Sequence, residues 1–257
     1  MELRLRQICL VASELAPVIE QLRHVFSIKV CFVDSAVGKY GLQNSLLTIG
    51  SQFLEVVAPR EEGTAAGRYL DRRGGDGGYM VITQCRDRAK RDARIAELAV
   101  PVANELNYGN FHGLQLHPKS TGGAFFEIDW NEGGDDPTND DSAPWHPAGP
   151  DWQDARQTDV VSAITAAELQ SPDPNRLANR WAEIAGLDLK AGDFGPEMIL
   201  ENAVIRFVEA CDGRGEGLSG IDLKCSDPAR AKNQARESGC FVDGETISIC
   251  GTRIKLV

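Results

Sequence analysis

The sequence predicts an α+β protein in which four β-α-β-β-β repeats pair into two domains with cupped, mixed sheets. Short segments of alternating apolar and polar residues are typical of half-buried strands, and each group of them contains one segment with helical spacing. This order of elements returns four times, at intervals of about 55 to 80 residues. One repeat alone exposes an apolar sheet face, whereas a pair buries that face and forms a cup with a central cavity.

The first two repeats show this order most clearly. The first begins with a predicted strand at 3–12 and a helix that ends at Phe26, with Val18, Leu22 and Val25 on one face. Its remaining strands are predicted at 29–33, 45–49 and 52–58. The second repeat is predicted to contain a strand at 78–85, a helix at 88–98 and strands near 100–102, 113–117 and 123–130.

The composition changes at residues 131–157, where acidic residues, glycines and prolines accumulate. Such a composition is typical of a linker or a long loop. The segment also contains Trp145 and Trp152, and we expect both to be partly buried because two exposed indoles would be an unusual apolar load. The predicted domains are therefore 1–130 and 158–257, joined by an acidic, Gly/Pro-rich linker at 131–157.

The third repeat shows its strands least clearly. Ser171-Pro172-Asp173-Pro174 predicts the start of a helix over 175–185, which Gly186 ends. Strands are predicted at 160–169, 198–200 and 203–209. The fourth repeat is predicted to have a strand at 218–225, a helix at 228–238 and strands at 240–242, 246–250 and 252–257.

Charge and cysteine content argue against several classes of protein. The net charge is −11, and an acidic surface repels a phosphate backbone, so nucleic acid is not an expected partner. No apolar run approaches the roughly 18 residues of a membrane span, and the N-terminal residues do not resemble a signal peptide. The seven cysteines form no CxxC pair, which favours reduced thiols in the cytoplasm. A small molecule is the expected partner, and a homodimer is left open.

Three stretches resemble the vicinal oxygen chelate (glyoxalase/bleomycin resistance/dioxygenase-like) superfamily in a tandem form. Residues 41–50, followed by 53–59, look like the closing strands of a first repeat. The stretch His117-Pro118-Lys119-Ser120-Thr121-Gly122-Gly123, with Glu127 four residues on, is similar to the closing motif of methylmalonyl-CoA epimerase. Residues 171–174, before a Trp-containing helix, look like the start of another repeat. The resemblance covers nearly all of the chain outside the linker.

The resemblance implies a metal site in the cup of each pair of repeats. Enzymes of this superfamily hold one divalent metal, with one ligand from the first strand and one from the last strand of each repeat. In the first half these positions are Gln7, Glu55, Met80 and Glu127. Gln7, Glu55 and Glu127 offer oxygen to a hard dication, whereas the thioether of Met80 suits neither Mg²⁺ nor Mn²⁺. The second-half positions, about Ala166, Phe207, Gly220 and Lys255, cannot bind a metal.

Two functions remain open from the sequence. The first is a lyase or isomerase that acts on a small oxygenated organic compound, with Glu127, Glu55 and His117 as catalytic residues. Such an enzyme would use a divalent metal (Mg, Mn, Fe, Co, Ni or Zn), or the two carboxylates as an acid/base pair. The alternative is a non-catalytic protein that has lost the metal and binds a small molecule. His117 lies between a strand and a Pro- and Gly-containing turn, so the turn explains it first and catalysis second.

Overall fold

The computed structural model describes residues 3–134, 136, 138 and 140–257, so Asp135, Pro137 and Asn139 of the predicted linker lie outside the described residues. The strands of these residues form two mixed, cupped sheets of eight strands each. The order of elements repeats the β-α-β-β-β pattern four times, which confirms the predicted α+β class. None of the helices in this part of the chain is long and apolar enough to cross a membrane.

The first sheet contains the first two repeats, in the order β2-β3-β4-β1-β5-β8-β7-β6. Within a repeat the first and last strands run parallel, and the remaining strands join as antiparallel hairpins. The first repeat comprises β1 (Leu3–Val11), α1 (Leu15–Phe26), β2 (Val30–Phe32), β3 (Leu42–Ile49) and β4 (Gln52–Pro59). After α2 (Ala65–Arg73), the second repeat comprises β5 (Gly77–Cys85), α3 (Arg88–Glu97), β6 (Val102–Asn107), β7 (Phe111–Leu116), α4 (Pro118–Thr121) and β8 (Phe125–Asn131).

The second sheet contains the third and fourth repeats, in the corresponding order β10-β11-β12-β9-β13-β16-β15-β14. The third repeat comprises β9 (Val161–Ser171), α5 (Pro174–Ala185), β10 (Leu189–Gly192), β11 (Gly195–Ile199) and β12 (Val204–Glu209). The fourth comprises β13 (Gly217–Cys225), α6 (Pro228–Glu237), β14 (Phe241–Asp243), β15 (Thr246–Ile249) and β16 (Thr252–Leu256).

Several elements differ from the sequence prediction: α4 was not predicted, β3 and β11 each begin three residues earlier than predicted, and α2, β6 and β10 differ as follows. Helix α2 was not predicted because it has few apolar residues; Thr64 starts it by accepting a hydrogen bond from Gly67 N at 2.9 Å, and Gly74 ends it at φ 70°. Strand β6 lies at 102–107 rather than 100–102. Strand β10 was missed since its four residues carry almost no apolar pattern and are held by pairing with β11.

The chain forms two compact units, and each draws on both halves of the sequence. The outer-repeat unit contains most of the first and fourth repeats, and its helix α1 packs against α6. The inner-repeat unit contains most of the second and third repeats, and Trp181 of α5 stacks there on Phe126 with ring centroids 4.3 Å apart. The outer-repeat unit is Gln7–Tyr79, Pro147–Thr165 and Ser219–Val257; the inner-repeat unit is the described part of Met1–Arg6, Met80–His146 and Ala166–Leu218. The domain bounds predicted from the sequence stay a prediction.

In each compact unit, one side-chain amide makes the two backbone hydrogen bonds that a neighbouring strand would otherwise make. In the outer-repeat unit, Gln52 donates to the carbonyl of Ile164 at 2.9 Å and accepts from its N–H at 2.8 Å. In the inner-repeat unit, Asn202 donates to the carbonyl of Leu5 at 3.0 Å and accepts from its N–H at 2.8 Å. Each amide therefore satisfies both backbone groups of one residue at the start of β9 or β1.

These two amides give a prediction on stability. Gln52 is buried, so Gln52→Ala leaves two buried backbone groups unsatisfied and should lower the free energy of unfolding by at least about 2 kcal/mol. Asn202 makes the same two bonds but is exposed, and water can replace its amide, so Asn202→Ala should cost about 1 kcal/mol. Urea unfolding of both variants measures the difference. Equal losses would contradict this account of burial.

Candidate carboxyl sites

Glu55 lies at the centre of a buried polar cluster in the outer-repeat unit. Strand β4 pairs with β1 so that Glu55 lies opposite Cys9, and Gln7 lies on the same face of β1. Gln7 Nε2 donates to one carboxyl oxygen of Glu55 at 2.8 Å, and Asn44 Nδ2 donates to the other at 2.7 Å. The predicted pair Gln7 and Glu55 is therefore brought together, with Asn44 from β3 as a third member.

The environment of Glu55 favours its neutral form. Burial raises the pKa of Glu55 above its ordinary value. Hydrogen bonds from Asn44, Cys9 and Gln7 lower this pKa, and the charge of Asp34 raises it by a smaller amount. The donors are neutral amides and a thiol. Their hydrogen bonds offset part of the effect of burial on the Glu55 carboxyl group.

A divalent metal does not fit the cluster around Glu55. A metal needs deprotonated ligands whose lone pairs face it, but both oxygens of Glu55 accept hydrogen bonds from amides. The Gln7 amide presents its N–H₂ group to Glu55, which is the wrong end for a ligand. Across the described residues, no group of three or more His, Cys, Asp or Glu side chains is placed to hold a metal ion.

The inner-repeat unit contains a second carboxyl group beside Glu127 that the sequence analysis did not single out. Glu127 and Asp129 are two residues apart on β8 and face the same side of the sheet, away from Phe126 and the α5 tryptophan. Asp129 is 0% exposed and Glu127 is 3% exposed. Gly113 lies opposite Asp129 on β7, and a Cβ atom there would come within 2.6 Å of Asp129 Oδ1. The glycine therefore makes room for the Asp129 carboxyl group.

Burial and mutual repulsion act together on this carboxyl pair. Burial raises the pKa of Asp129 well above its usual range, and the charge of Glu127 raises it further. A backbone hydrogen bond from Leu114 acts in the opposite direction but is the smaller effect. Asp129 therefore keeps its proton to a higher pH than an ordinary aspartate does.

The linker covers the strand positions that surround Asp129. Gln84, in register with Asp129 on β5, donates to the Gly134 carbonyl at 3.5 Å. Asn131 Oδ1, two residues beyond Asp129, accepts from His146 N at 2.8 Å. Trp145 packs edge-on against Phe111 on β7 with centroids 5.7 Å apart. Gly134, Trp145 and His146 of the linker therefore contact β5, β7 and β8 beside Asp129.

Arginines fix this segment, and both linker tryptophans are buried. Arg4 and Arg86 form ion pairs with Asp140 at 2.6 and 3.1 Å, and Arg6 donates to the Ala143 carbonyl at 2.6 Å. Trp145 is 1% exposed. In the outer-repeat unit Trp152 is also 1% exposed and packs edge-on against Phe53, which shares a face of β4 with Glu55. Burial of both tryptophans confirms the sequence prediction.

His117 has a structural role at the start of α4. Its Nδ1 accepts a hydrogen bond from Lys119 N at 3.1 Å, and the helix begins at Pro118. The glycines that follow pack on the third repeat: Trp181 Nε1 donates to the Gly122 carbonyl at 3.3 Å, and Gly123 N donates to Glu216 Oε1 at 3.0 Å. The predicted catalytic roles of His117, Glu55 and Glu127 stay predictions.

A solved structure matches this arrangement over its whole length. The crystal structure of a hypothetical protein from Staphylococcus aureus covers 100% of this chain and 99% of its own, with a TM-score of 0.68 at 14% sequence identity. Together with four β-α-β-β-β repeats in two cupped sheets, this match decides the fold. This fold is consistent with the tandem arrangement that the sequence resemblance led us to expect. At this identity the likeness concerns the fold and not the reaction.

Half-length matches include two enzymes of the vicinal oxygen chelate superfamily. Methylmalonyl-CoA epimerase from Streptomyces coelicolor covers 50% of this chain and 96% of its own at 20% identity, with a TM-score of 0.44. The epimerase from Mycobacterium tuberculosis covers 49% of this chain and 87% of its own at 18% identity, also with a TM-score of 0.44. No known protein family and no curated protein sequence matches the chain.

In the second half, the strand register corrects one predicted vicinal oxygen chelate position. Arg206, rather than Phe207, occupies the place of Glu55, because Arg206 lies opposite Glu168 as Glu55 lies opposite Cys9. Phe207 faces the other side of β12 and contacts Trp181 of α5. The predicted counterpart of Glu55 was displaced by one residue, because the strand pattern of the third repeat is the weakest of the four. The conclusion that these positions do not suit a metal is unchanged, since Arg206 carries a positive charge.

The shifted pKa of Asp129 predicts how stability depends on pH. Because folded Asp129 keeps its proton to a higher pH than unfolded Asp129, the folded state binds more protons above about pH 4, and stability falls there as pH rises. Asp129→Asn removes this loss, so the free energy of unfolding of the variant should rise relative to that of the native protein between about pH 4 and pH 8. Urea unfolding across this range measures the difference between the two proteins.

The control is Asp193→Asn, which changes an exposed aspartate in a hairpin. A difference that stays constant with pH for Asp129→Asn would contradict the assignment.

Proposed function

We propose that the chain is a lyase or isomerase that acts on a small oxygenated organic compound, with Glu127 and Asp129 as its acid/base pair. The observation that carries the proposal is a buried pair of carboxyl groups on one strand, in which the pKa of Asp129 is strongly raised. Acid/base sites often contain two neighbouring carboxyl groups whose surroundings give them different pKa values. The predicted catalytic residue Glu127 keeps its role, and Asp129 is added to it.

The pair can perform a proton transfer in which all charges balance. Ionised Glu127 accepts a proton from the carbon next to a carbonyl group, and the electron pair of that C–H bond moves toward the carbonyl oxygen. Protonated Asp129 donates its proton to this oxygen, so an enol forms without a free charge in a buried site. In an isomerisation, Glu127 returns its proton to carbon and Asp129 takes back the enol proton as the carbonyl group re-forms. In an elimination, Asp129 takes back the enol proton, the group on the neighbouring carbon leaves with the electron pair of its bond, and Glu127 protonates that group.

Contacts around the pair support this proposal, because Gly134, Trp145 and His146 pack on strand residues beside Asp129. Exclusion of water strengthens electrostatic effects on a proton transfer. Access of a substrate to the pair requires these three residues to move aside. We place the protein in the cytoplasm, since no disulfide links its seven cysteines, all of which lie in the described residues.

The second candidate is a binding protein without catalysis. The Glu55 cluster favours it, because both oxygens of this buried carboxyl group already accept hydrogen bonds from the amides of Gln7 and Asn44. Under this alternative the carboxyl groups shape a polar cavity, and removing their charge would increase stability without changing any reaction.

Exchange of hydrogen for deuterium tests the proposed function without knowledge of the natural substrate. The protein is incubated in D₂O with pyruvate, 2-oxobutyrate or hydroxyacetone, and proton NMR follows the loss of the C–H signal next to the carbonyl. We expect exchange with at least one probe, and a loss of about a hundredfold or more in Glu127→Gln and in Asp129→Asn. Glu55→Gln should leave the exchange rate unchanged.

The control variant is Glu132→Gln, an exposed glutamate directly after β8, which should exchange as the native protein does. Thermal unfolding establishes that each variant is folded. Absence of exchange with every probe, or native exchange rates in both Glu127→Gln and Asp129→Asn, would favour the binding protein instead.

A further inference from the structure

His112 is a buried histidine with a carboxylate next to each of its ring nitrogens. It lies on β7, and its side chain is 4% exposed. Its Nε2 lies 3.5 Å from Asp92 Oδ1 of α3, and its Nδ1 lies 3.7 Å from Glu105 Oε1 of β6. One buried ring therefore lies between carboxylates that belong to two different elements.

The basic residues of α3 beside Asp92 are directed elsewhere. Arg88 Nε lies 3.3 Å from Asp92 Oδ2, which leaves Oδ1 of the same carboxylate to His112. Arg91 donates to the carbonyl of Ala185 at 2.7 Å. The positive charges of this helix therefore do not take the place of the ring at Asp92 Oδ1.

The strands on either side add no charge to the ring apart from Glu105. Trp130 lies opposite His112 on β8, and Asn107 lies opposite it on β6. Burial raises the pKa of Cys85, at the end of β5, to about 12, so this thiol is neutral. The charge on the histidine ring itself therefore decides whether it attracts the two carboxylates.

A neutral imidazole cannot satisfy both contacts. It has one N–H group and one lone pair, so one nitrogen must present its lone pair to a carboxylate oxygen. Within the described residues neither nitrogen of His112 has a hydrogen-bond partner, and both distances exceed the roughly 2.7–2.9 Å of a charge-assisted hydrogen bond. An imidazolium has a donor at each nitrogen, so a gained proton turns both contacts into attractive ion pairs.

From this geometry we propose that His112 is a proton-controlled clamp, which fastens α3 and β6 to β7 when the ring is charged and loosens them when it is neutral. Histidine is the side chain whose charge ordinarily changes between about pH 5 and pH 8. Helix α3 suits such control because only Arg91 and Ile95 among its residues are buried. Little apolar packing therefore holds the helix in place independently of the clamp.

The clamp adjoins the strand residues that contact Asp129. Gly113 follows His112 directly and makes room for the Asp129 carboxyl group, and Leu114 gives that group a backbone hydrogen bond. A change in the hold on β7 thus reaches the carboxyl pair. This consequence rests on the proposed function, whereas the clamp itself does not.

Hydrogen exchange of backbone amides, followed by NMR at several pH values, tests the clamp without any substrate. Each rate is divided into the intrinsic rate of an unfolded chain at the same pH, so that the ratio reports protection alone. We expect the protection of α3 and β6 amides to fall by about fivefold between about pH 5.5 and pH 8. Asp92→Asn and Glu105→Gln each keep the histidine and remove one partner, so each should reduce this fall to about twofold, and the double variant should lack it.

The matched control is His24→Gln. His24 Nε2 lies 3.6 Å from Glu237 Oε2, but its side chain is 50% exposed and lies on α1, so this variant should keep the native fall in α3 and β6. Every variant retains Glu127 and Asp129, so any effect of the carboxyl pair on global stability is common to all of them.

Two results would overturn the clamp: protection of α3 and β6 that does not change with pH in the native protein, or a folded double variant that shows the native change. Deuterium exchange into the carbonyl probes tests the proposed function separately, so failure of one proposal is distinguishable from failure of the other.

Discussion

Two carboxyl groups that are shielded from water on one strand cannot both carry a charge, and the region around β8 depends on this constraint. Removing a carboxylate from water is costly unless it is paired or protonated, and a second carboxylate nearby increases that cost. Gly113 gives the Asp129 carboxyl group room, and burial together with the charge of Glu127 raises its pKa. The raised pKa of Asp129 follows from this arrangement and supports the proposed chemistry.

Linker residues pack beside the carboxyl pair, since Gly134 contacts Gln84 on β5 and Trp145 contacts Phe111 on β7. The composition of the linker is acidic and rich in Gly and Pro, yet its position is fixed by arginines from β1 and from the end of β5. Arg4 and Arg86 pair with Asp140, and the Arg6 guanidinium lies 5.4 Å from the centre of the Trp145 ring. Aromatic packing then adds burial that a polar loop alone would lack. The linker therefore packs on the strands beside the carboxyl pair, although its composition is typical of a spacer.

Much of the fold could be predicted from the sequence because strand and helix periodicities are local. The four repeats were predicted from such patterns, and errors arose where the pattern is short, as in β10, or where capping by Thr64 and Gly74 rather than apolar spacing defines a helix. The site was harder because it depends on contacts between strands. Asn44 comes from β3, and no spacing in the sequence links it to Glu55. A local signal for Asp129 did exist: it alternates with apolar Ile128 and shares the face of Glu127, but the resemblance directed attention to Glu127 alone.

The repeats keep their geometry while the chemistry at equivalent positions changes sign. Where the first repeat has Glu55, the third has Arg206, and where the second repeat has Glu127, the fourth has Lys255 in register with Asp222. The first sheet thus places Glu127 and Asp129 together on β8, whereas in the second sheet Arg206 pairs with Glu197 on one side and with Glu168 on the other. Duplication of the fold therefore does not imply duplication of the side chains at equivalent positions.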